Sequence, residues 1–564
     1  MEQARLIIAI VLSALVFLVW QFFFVDKEAV QKTAKKTEKP PAAAEQSPVA
    51  TEPAQPAKPD TAEQETTTTQ TSGVSETAVA KPAETARVVT VDTPLYTAKI
   101  SEKGAGFTSF ILKKYHETVA KDSPLKEILP QQGAVESVLV GYDGKSVAGL
   151  DQAVYSADLK VDTLSVNEGS QKITFSWASA QGVIIEKTYS FSPDSYVMGL
   201  DVTVNNRSDR SIQDKLYLTL TGKVAEKGRA YGFEGPSALI NGDLEEVDVD
   251  DIAEKNIYTG NFKWVAVQDR YFMTSIIPNQ AEEASMRLFV KEDRLLESQF
   301  LNPVSDIRPA TQRTYQYLLY FGPLRSKILD GVGHDLSKAL NFGFFDILAK
   351  PCVWLMNRLY SVIPNYGIAI IILTLLIKIV LWPLGSKSYK SMSEMKKIQP
   401  LMKEIREKYK DDKKKMNEEV MGLYRTYKIN PLGGCLPMVV QLPVFFALYR
   451  MLYQAIELRH APFFLWIDDL SAPDRLGHFA IKHIPFMEPP YGIPVLTLIM
   501  GASMILQQKM SPPMGDPTQA KMMMFMPVIF TVIFINFSSG LVLYWLTNNI
   551  LSIAQQYYIQ KKFA

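Results

Sequence analysis

The chain reads as a multi-domain protein in which a polytopic α-helical membrane core of about six spans carries one large antiparallel β-sandwich outside the bilayer. Three observations predict this. Its 564 residues are 47% apolar, yet mean hydropathy is near zero, because a polar N-terminal half averages against an apolar C-terminal half. Short alternating runs crowd residues 87–323, and long apolar segments recur from residue 362 onward.

The elements follow in order. Leu6 to Val25 is an apolar run too long for a signal-peptide core, and Trp20-Gln-Phe-Phe-Phe24 stands where a cleavage site would need small residues, so 1–25 is expected to be an uncleaved transmembrane anchor. Residues 26–86 are Pro, Ala, Thr, Glu, Gln and Lys with almost no aromatics. Such a composition cannot bury enough surface to offset ordering entropy, which predicts a disordered linker. Over 87–323, runs such as Ile173–Trp177, Val197–Val204, Leu216–Leu220 and Tyr315–Phe321 alternate between turn residues, the pattern of half-buried strands in a β-sandwich. Over 324–361, Leu336, Leu340, Phe344, Phe345, Leu348 and Val353 suggest an amphipathic helix lying along the membrane surface. Apolar segments near 362–384, 436–453, 493–506, 522–537 and 541–553 then predict a five-span core over 362–564.

Orientation follows from charge. The connection 386–430 holds thirteen Lys/Arg against seven Asp/Glu, and Lys561 and Lys562 lie near the C-terminus, so both belong on the cytoplasmic side. With six spans the N-terminus is cytoplasmic too, and the β domain lies across the membrane. Lys27, Lys32, Lys35 and Lys36, against Arg5 alone before the first span, oppose this locally, and the later loops outweigh them. The basic connection is itself patterned: Met392, Met395, Ile398, Leu401, Met402, Ile405 and Tyr409, then Met416, Val420, Leu423, Tyr424 and Tyr427 after Asp411-Asp412, predict a helical hairpin. Its apolar seam is either satisfied internally or offered to a ribosome or nascent chain. The only two cysteines, Cys352 and Cys435, rule out a disulfide framework, and a net charge of +1 argues against a general nucleic-acid or DNA binder.

Catalytic signatures are missing from the sequence. The five histidines, His116, His334, His460, His478 and His483, form no metal-ligand pattern, and neither a nucleophile elbow nor a phosphate loop occurs, so no catalytic residue, cofactor site or metal site is expected. The unusual residue is Lys378, inside the apolar run 367–384. An ammonium near mid-membrane costs roughly 2.5 to 3.5 kcal/mol on insertion scales, so it either snorkels or faces a wet cavity, partner or substrate. Thr374 precedes it at i−4 on the same helix face. Gln441, Asn548 and Asn549 add polar groups in other spans, each explicable as helix-packing glue and together consistent with a hydrated groove. The helix-breaking residues of Asn430–Pro437 and Pro443 predict a bent third span whose cavity opens to the cytoplasm.

The stretches Asn430–Pro437, Gln441-Leu-Pro443, Leu458–Phe463, Trp466–Ser471, Met524–Phe530 and Ser539–Tyr544 resemble the YidC-type membrane protein insertase family of Gram-negative bacteria, over nearly the whole chain. The resemblance implies an insertase and folding chaperone without cofactor, an inner-membrane location and a periplasmic β-sandwich. It also implies a groove closed to the periplasm, with nascent membrane proteins, the Sec translocon, the ribosome and the lipid bilayer as partners. The family's basic residue, typically Arg, falls on Lys378, which keeps the charge without the planar fork. Its aromatic pair in the last span falls on Tyr544 and Trp545, with Trp where Tyr is usual. The short segment after the sixth span implies no long ribosome-binding extension. The expected substrate-binding set is Lys378, Thr374, Gln441, Tyr544, Trp545 and Asn548. Two other classes compete: a solute or anion transporter built on Lys378, and a membrane-anchored glycan-binding protein with Trp177, Trp264 and Tyr271 as a stacking platform.

Overall fold

A computed structural model describes residues 86–563 apart from 132–135, 225–231, 280–282, 292–293, 428, 430–435, 478, 480–482 and 511–516. The expected anchor, nearly all of the linker and the Asn430–Cys435 opening lie outside the described residues.

Strand alternation builds the sandwich as the sequence predicts. In Val183–Phe191 every second side chain turns inward, and the strand pairs with Val197–Asn206, which pairs in turn with Thr311–Pro323. The long strand Ile257–Gln268 serves two layers: its first half pairs with Glu283–Lys291 and its second with Phe272–Pro278. A five-stranded sheet covers the other side, led by Gly106–His116. One pair departs from the antiparallel expectation, since Val88–Asp92 runs parallel to Thr163–Ser165. The large rings Trp264, Tyr189, Phe107, Phe110 and Phe175 fill the core. Trp264 is fully buried and Trp177 leans on Tyr155 at 6.3 Å, so the three aromatics of the glycan alternative do not assemble one exposed platform.

The stripe expected over 336–353 is corrected. Residues Leu336–Ala339 and Gly343–Phe345 are short 3₁₀ turns, and Asp335 and Gly343 hold left-handed φ of 56° and 64°, which stops a continuous helix. Leu336 and Leu340 are buried while Phe344 is 91% exposed, so these positions share no single face. The amphipathic helix begins later: among the helices, α1 is Ser326–Val332 and α2 is Asp346–Val362. Ala349, Val353 and Met356 of α2 face inward, and Ile347 and Trp354 face out.

The remaining helices are α3, Tyr366–Val380; α4, Trp382–Lys397; α5, Gln399–Lys408; α6, Lys413–Thr426; α7, Leu436–Gln454; α8, Val495–Met510; α9, Pro517–Phe534; and α10, Ser539–Phe563. The Asn365 side chain caps α3 by accepting from Ile368 N at 3.1 Å, and Asp412 caps α6 from Lys415 N at 3.0 Å. Helix α3 stops short of the expected 362–384 segment because Pro383 opens α4, and the two are bent by 66°. Among the described residues no single helix is both long and apolar enough to cross a bilayer, and this bent pair is so only when taken together. Met395, Ile398, Met402 and Ile429 are buried against Val420, Leu423 and Tyr424, so the apolar seam of the α4–α6 segment closes on itself.

The sandwich is fastened to the helices at the end of α7. Ile456 belongs to the sandwich core, Arg270 donates from Nε to Tyr453 O at 2.7 Å, and its guanidinium lies 3.6 Å from the Tyr453 ring centre. At the start of α3, Gly367 sits under Phe463: a Cβ there would lie 2.0 Å from the ring. Gly367→Ala is therefore expected to cost about 1 to 3 kcal/mol by overpacking. Phe463→Leu in the same chain should return much of this, a non-additivity read from melting curves of the four chains of the cycle.

Candidate functional site

Helix α10 carries two polar stripes at helical spacing. Asn548, Ser552 and Gln555, at i, i+4 and i+7, turn toward α3 and α4, while Asn549 turns toward α8. Lys378 reaches the first stripe from α3: its Nζ donates to Ser552 Oγ at 2.6 Å and to Asn548 Oδ1 at 3.3 Å. Ser552 Oγ in turn donates to Asn548 O at 2.7 Å. Both partners of the ammonium are neutral oxygens, so its charge is solvated and not cancelled. Such a site can still attract an anion.

The stripe continues at one end through α4. Tyr389 hydrogen-bonds with Ser552 and Gln507, and Gln555 Nε2 donates to Trp382 O at 3.1 Å and to Ser386 Oγ at 3.4 Å. Gly385 permits that approach, since a Cβ there would lie 2.9 Å from Gln555 Nε2. On the other stripe Asn549 Nδ2 donates to Ser503 Oγ at 3.1 Å.

The six expected residues fall into two pairs and two single residues. Lys378 and Asn548 meet directly. Gln441 and Tyr544 meet by a side-chain hydrogen bond between α7 and α10. Trp545 stands among aromatic rings, edge-on to Phe445 at 4.7 Å and to Phe534 at 5.0 Å and stacked on Phe530 at 6.0 Å. Thr374 is buried with its hydroxyl donating to Ile370 O at 2.7 Å, one turn back on its own helix. Ser552, Tyr389, Gln507 and Gln555 lie outside the expected set; the 548/552/555 spacing on α10 is the signal that marks Ser552 and Gln555, and Tyr389 and Gln507, on other helices, carry no such signal.

Comparison with known proteins was consistent along the chain. Residues 88–355 match the family model described as the YidC periplasmic domain, and residues 358–564 match the one described as 60Kd inner membrane protein. A protein of Syntrophus aciditrophicus (strain SB) named membrane protein insertase YidC is 40% identical over 565 residues, covering 99% of both chains. One of the same name from Citrifermentans bemidjiense is 41% identical over 485 residues, 85% of this chain and 86% of the relative. Among solved structures, an active YidC insertase with its first transmembrane domain resolved aligns over 84% of this chain and 95% of its own, with 19% identity and a TM-score of 0.36. With the curated relatives about 40% identical over most or all of their length and of this chain, the chain belongs to the YidC family of membrane protein insertases.

Proposed function

We propose that the protein moves nascent inner-membrane proteins into the bilayer, without cofactor or covalent catalysis, through a hydrated basic groove between α3, α4, α7 and α10. The observation that carries this is the Lys378 ammonium held by Asn548 and Ser552, at the head of a polar stripe with no carboxylate among its hydrogen-bond partners in the described residues. The ammonium transiently attracts acidic groups in the short leading segment of a client and shortens the apolar barrier that segment must cross. Tyr544, Gln441 and Trp545 line the route of the client's apolar segment, and its release into lipid is driven by about 0.8 kcal/mol per buried CH₂. In this scheme α3, α7, α8, α9 and α10 are five spans and the N-terminal anchor a sixth. The termini and the 386–430 hairpin lie in the cytoplasm, with the sandwich in the periplasm, as the basic connections favour. The hairpin's lysines and arginines face the ribosome, and the insertase works alone or beside the Sec translocon.

A photo-crosslinker placed at Leu375 or Ile379 of α3, with a ribosome-stalled single-span client, tests the proposal. Adducts with the client's transmembrane segment are expected; adducts with lipid alone would sink it.

A further inference from the structure

We infer that Asp474 and Arg475 form a latch that seals the extracytoplasmic end of the polar groove, a positioning role that rests on the groove proposed above. The two residues lie in the connection from α7 to α8, and both are nearly buried, at 2% and 8% exposure. They do not neutralise each other side chain to side chain. Asp474 turns to α8: its Oδ2 accepts from Leu496 N at 2.5 Å and Thr497 N at 3.3 Å, and its Oδ1 accepts from the Trp466 indole at 2.5 Å. A carboxylate there caps the first turn of α8 and meets the positive end of its dipole. Arg475 turns to the end of α9: it donates to Ile535 O at 2.8 Å, Asn536 Oδ1 at 3.2 Å, Pro490 O at 2.9 Å and Glu488 O at 3.4 Å. Asn536 adds its own ties, accepting from Glu488 N at 2.9 Å and donating to Phe486 O at 3.1 Å.

The same connection holds the start of α10. Ser539 N donates to Ala472 O at 2.7 Å, Ser539 Oγ to Asp469 O at 2.7 Å and Gly540 N to Leu470 O at 2.8 Å. Two adjacent charged residues thus join the start of α8 to the end of α9, within a segment that also grips the start of α10. Lys378 lies eleven residues along α3 from Gly367, roughly 16 Å at 1.5 Å per residue, and Phe463 of the same connection covers Gly367, so this connection packs on the end of α3 remote from the ammonium. Burying a guanidinium on main-chain oxygens and a carboxylate on a helix end is costly unless every partner is in place. The closure therefore depends on each partner: remove one charge and buried carbonyls or amides must find water, which then reaches the seam from outside.

The test uses full-length protein in membrane vesicles, with Cys352 and Cys435 replaced by serine and Asn548→Cys, at the half-buried position of the stripe, as a reporter of the seam. A membrane-impermeant maleimide is applied from either face. With the latch intact, the reporter is expected to label from the cytoplasmic face alone. With Arg475→Met or Asp474→Asn, labelling from the periplasmic face is expected to rise about tenfold or more, with Arg475→Lys between the two. Asn536→Ala removes a single acceptor and serves where the arginine variants fail to accumulate, giving a smaller rise of the same sign. Unchanged periplasmic labelling in variants that still melt cooperatively would overturn the latch. A reporter that labels from neither face would instead defeat the hydrated groove itself, so the two failures are distinct.

Discussion

Lys378→Glu is expected to slow insertion of a single-span client with an acidic leading segment by about 100-fold, Lys378→Ala by about tenfold, and Lys378→Arg little. At an effective dielectric of about 20, two unit charges roughly 5 Å apart interact by about 3 kcal/mol. Partial screening by groove water leaves about half of that as the loss on charge removal, and each 1.4 kcal/mol is tenfold in rate. Reversal adds repulsion of similar size. Glutamate would also place a carboxylate opposite the Asn548 Oδ1 that now accepts from Nζ, forcing that amide to turn. Initial rates in proteoliposomes, with a client whose leading segment is neutral as the comparison, check this. Equal rates for all four chains on the acidic client would remove the charge-dependent route.

The second large effect lies in the sandwich. Lys187 occupies an inward slot of Val183–Phe191, fully buried, between Ile185 and Tyr189. Its Nζ donates to Gly104 O at 3.0 Å, Ala105 O at 2.6 Å and Val138 O at 2.7 Å. All three acceptors belong to residues with left-handed φ, 65°, 46° and 64°, so the ammonium pins two turns that would otherwise be strained and unsatisfied. Burial pulls the Lys187 pKa well below the usual lysine value, while acceptors matched one-to-one to ammonium protons work against that pull. Lys187→Met keeps the stem but strands these carbonyls, and is expected to cost roughly 3 to 5 kcal/mol. For a domain of this size that lowers the melting temperature by about 6 to 20 °C, followed by the emission of Trp177 and Trp264. A shift below about 2 °C would show that the turns hold themselves.

Most of the sandwich was legible because strand periodicity is local: each of Ile173–Trp177, Val197–Val204, Leu216–Leu220 and Tyr315–Phe321 lies within an observed strand. The slot of Lys187 is readable in the same way, since a lysine between inward-facing Ile185 and Tyr189 breaks the apolar alternation, but its three carbonyl acceptors come from turns far away in sequence. The 336–353 stripe misleads for a related reason. Its spacing is helical, but the left-handed turns at Asp335 and Gly343 are set by what the chain packs against and not by apolar period.

In the candidate site, the sequence alone fixed that a cation sits in an apolar segment with Thr374 one turn before it, because burial cost and helical spacing need only the residues themselves. It also fixed the family, through motifs spread along the C-terminal half. Only the tertiary structure decided that Asn548 and Ser552, about 170 residues away, solvate Lys378, that Thr374 spends its hydroxyl on its own helix, and that Asp474 and Arg475 turn to different helices. Hydrogen-bond partners across spans depend on which faces the bundle brings together, and one-dimensional periodicity says which residues share a face without saying what that face meets.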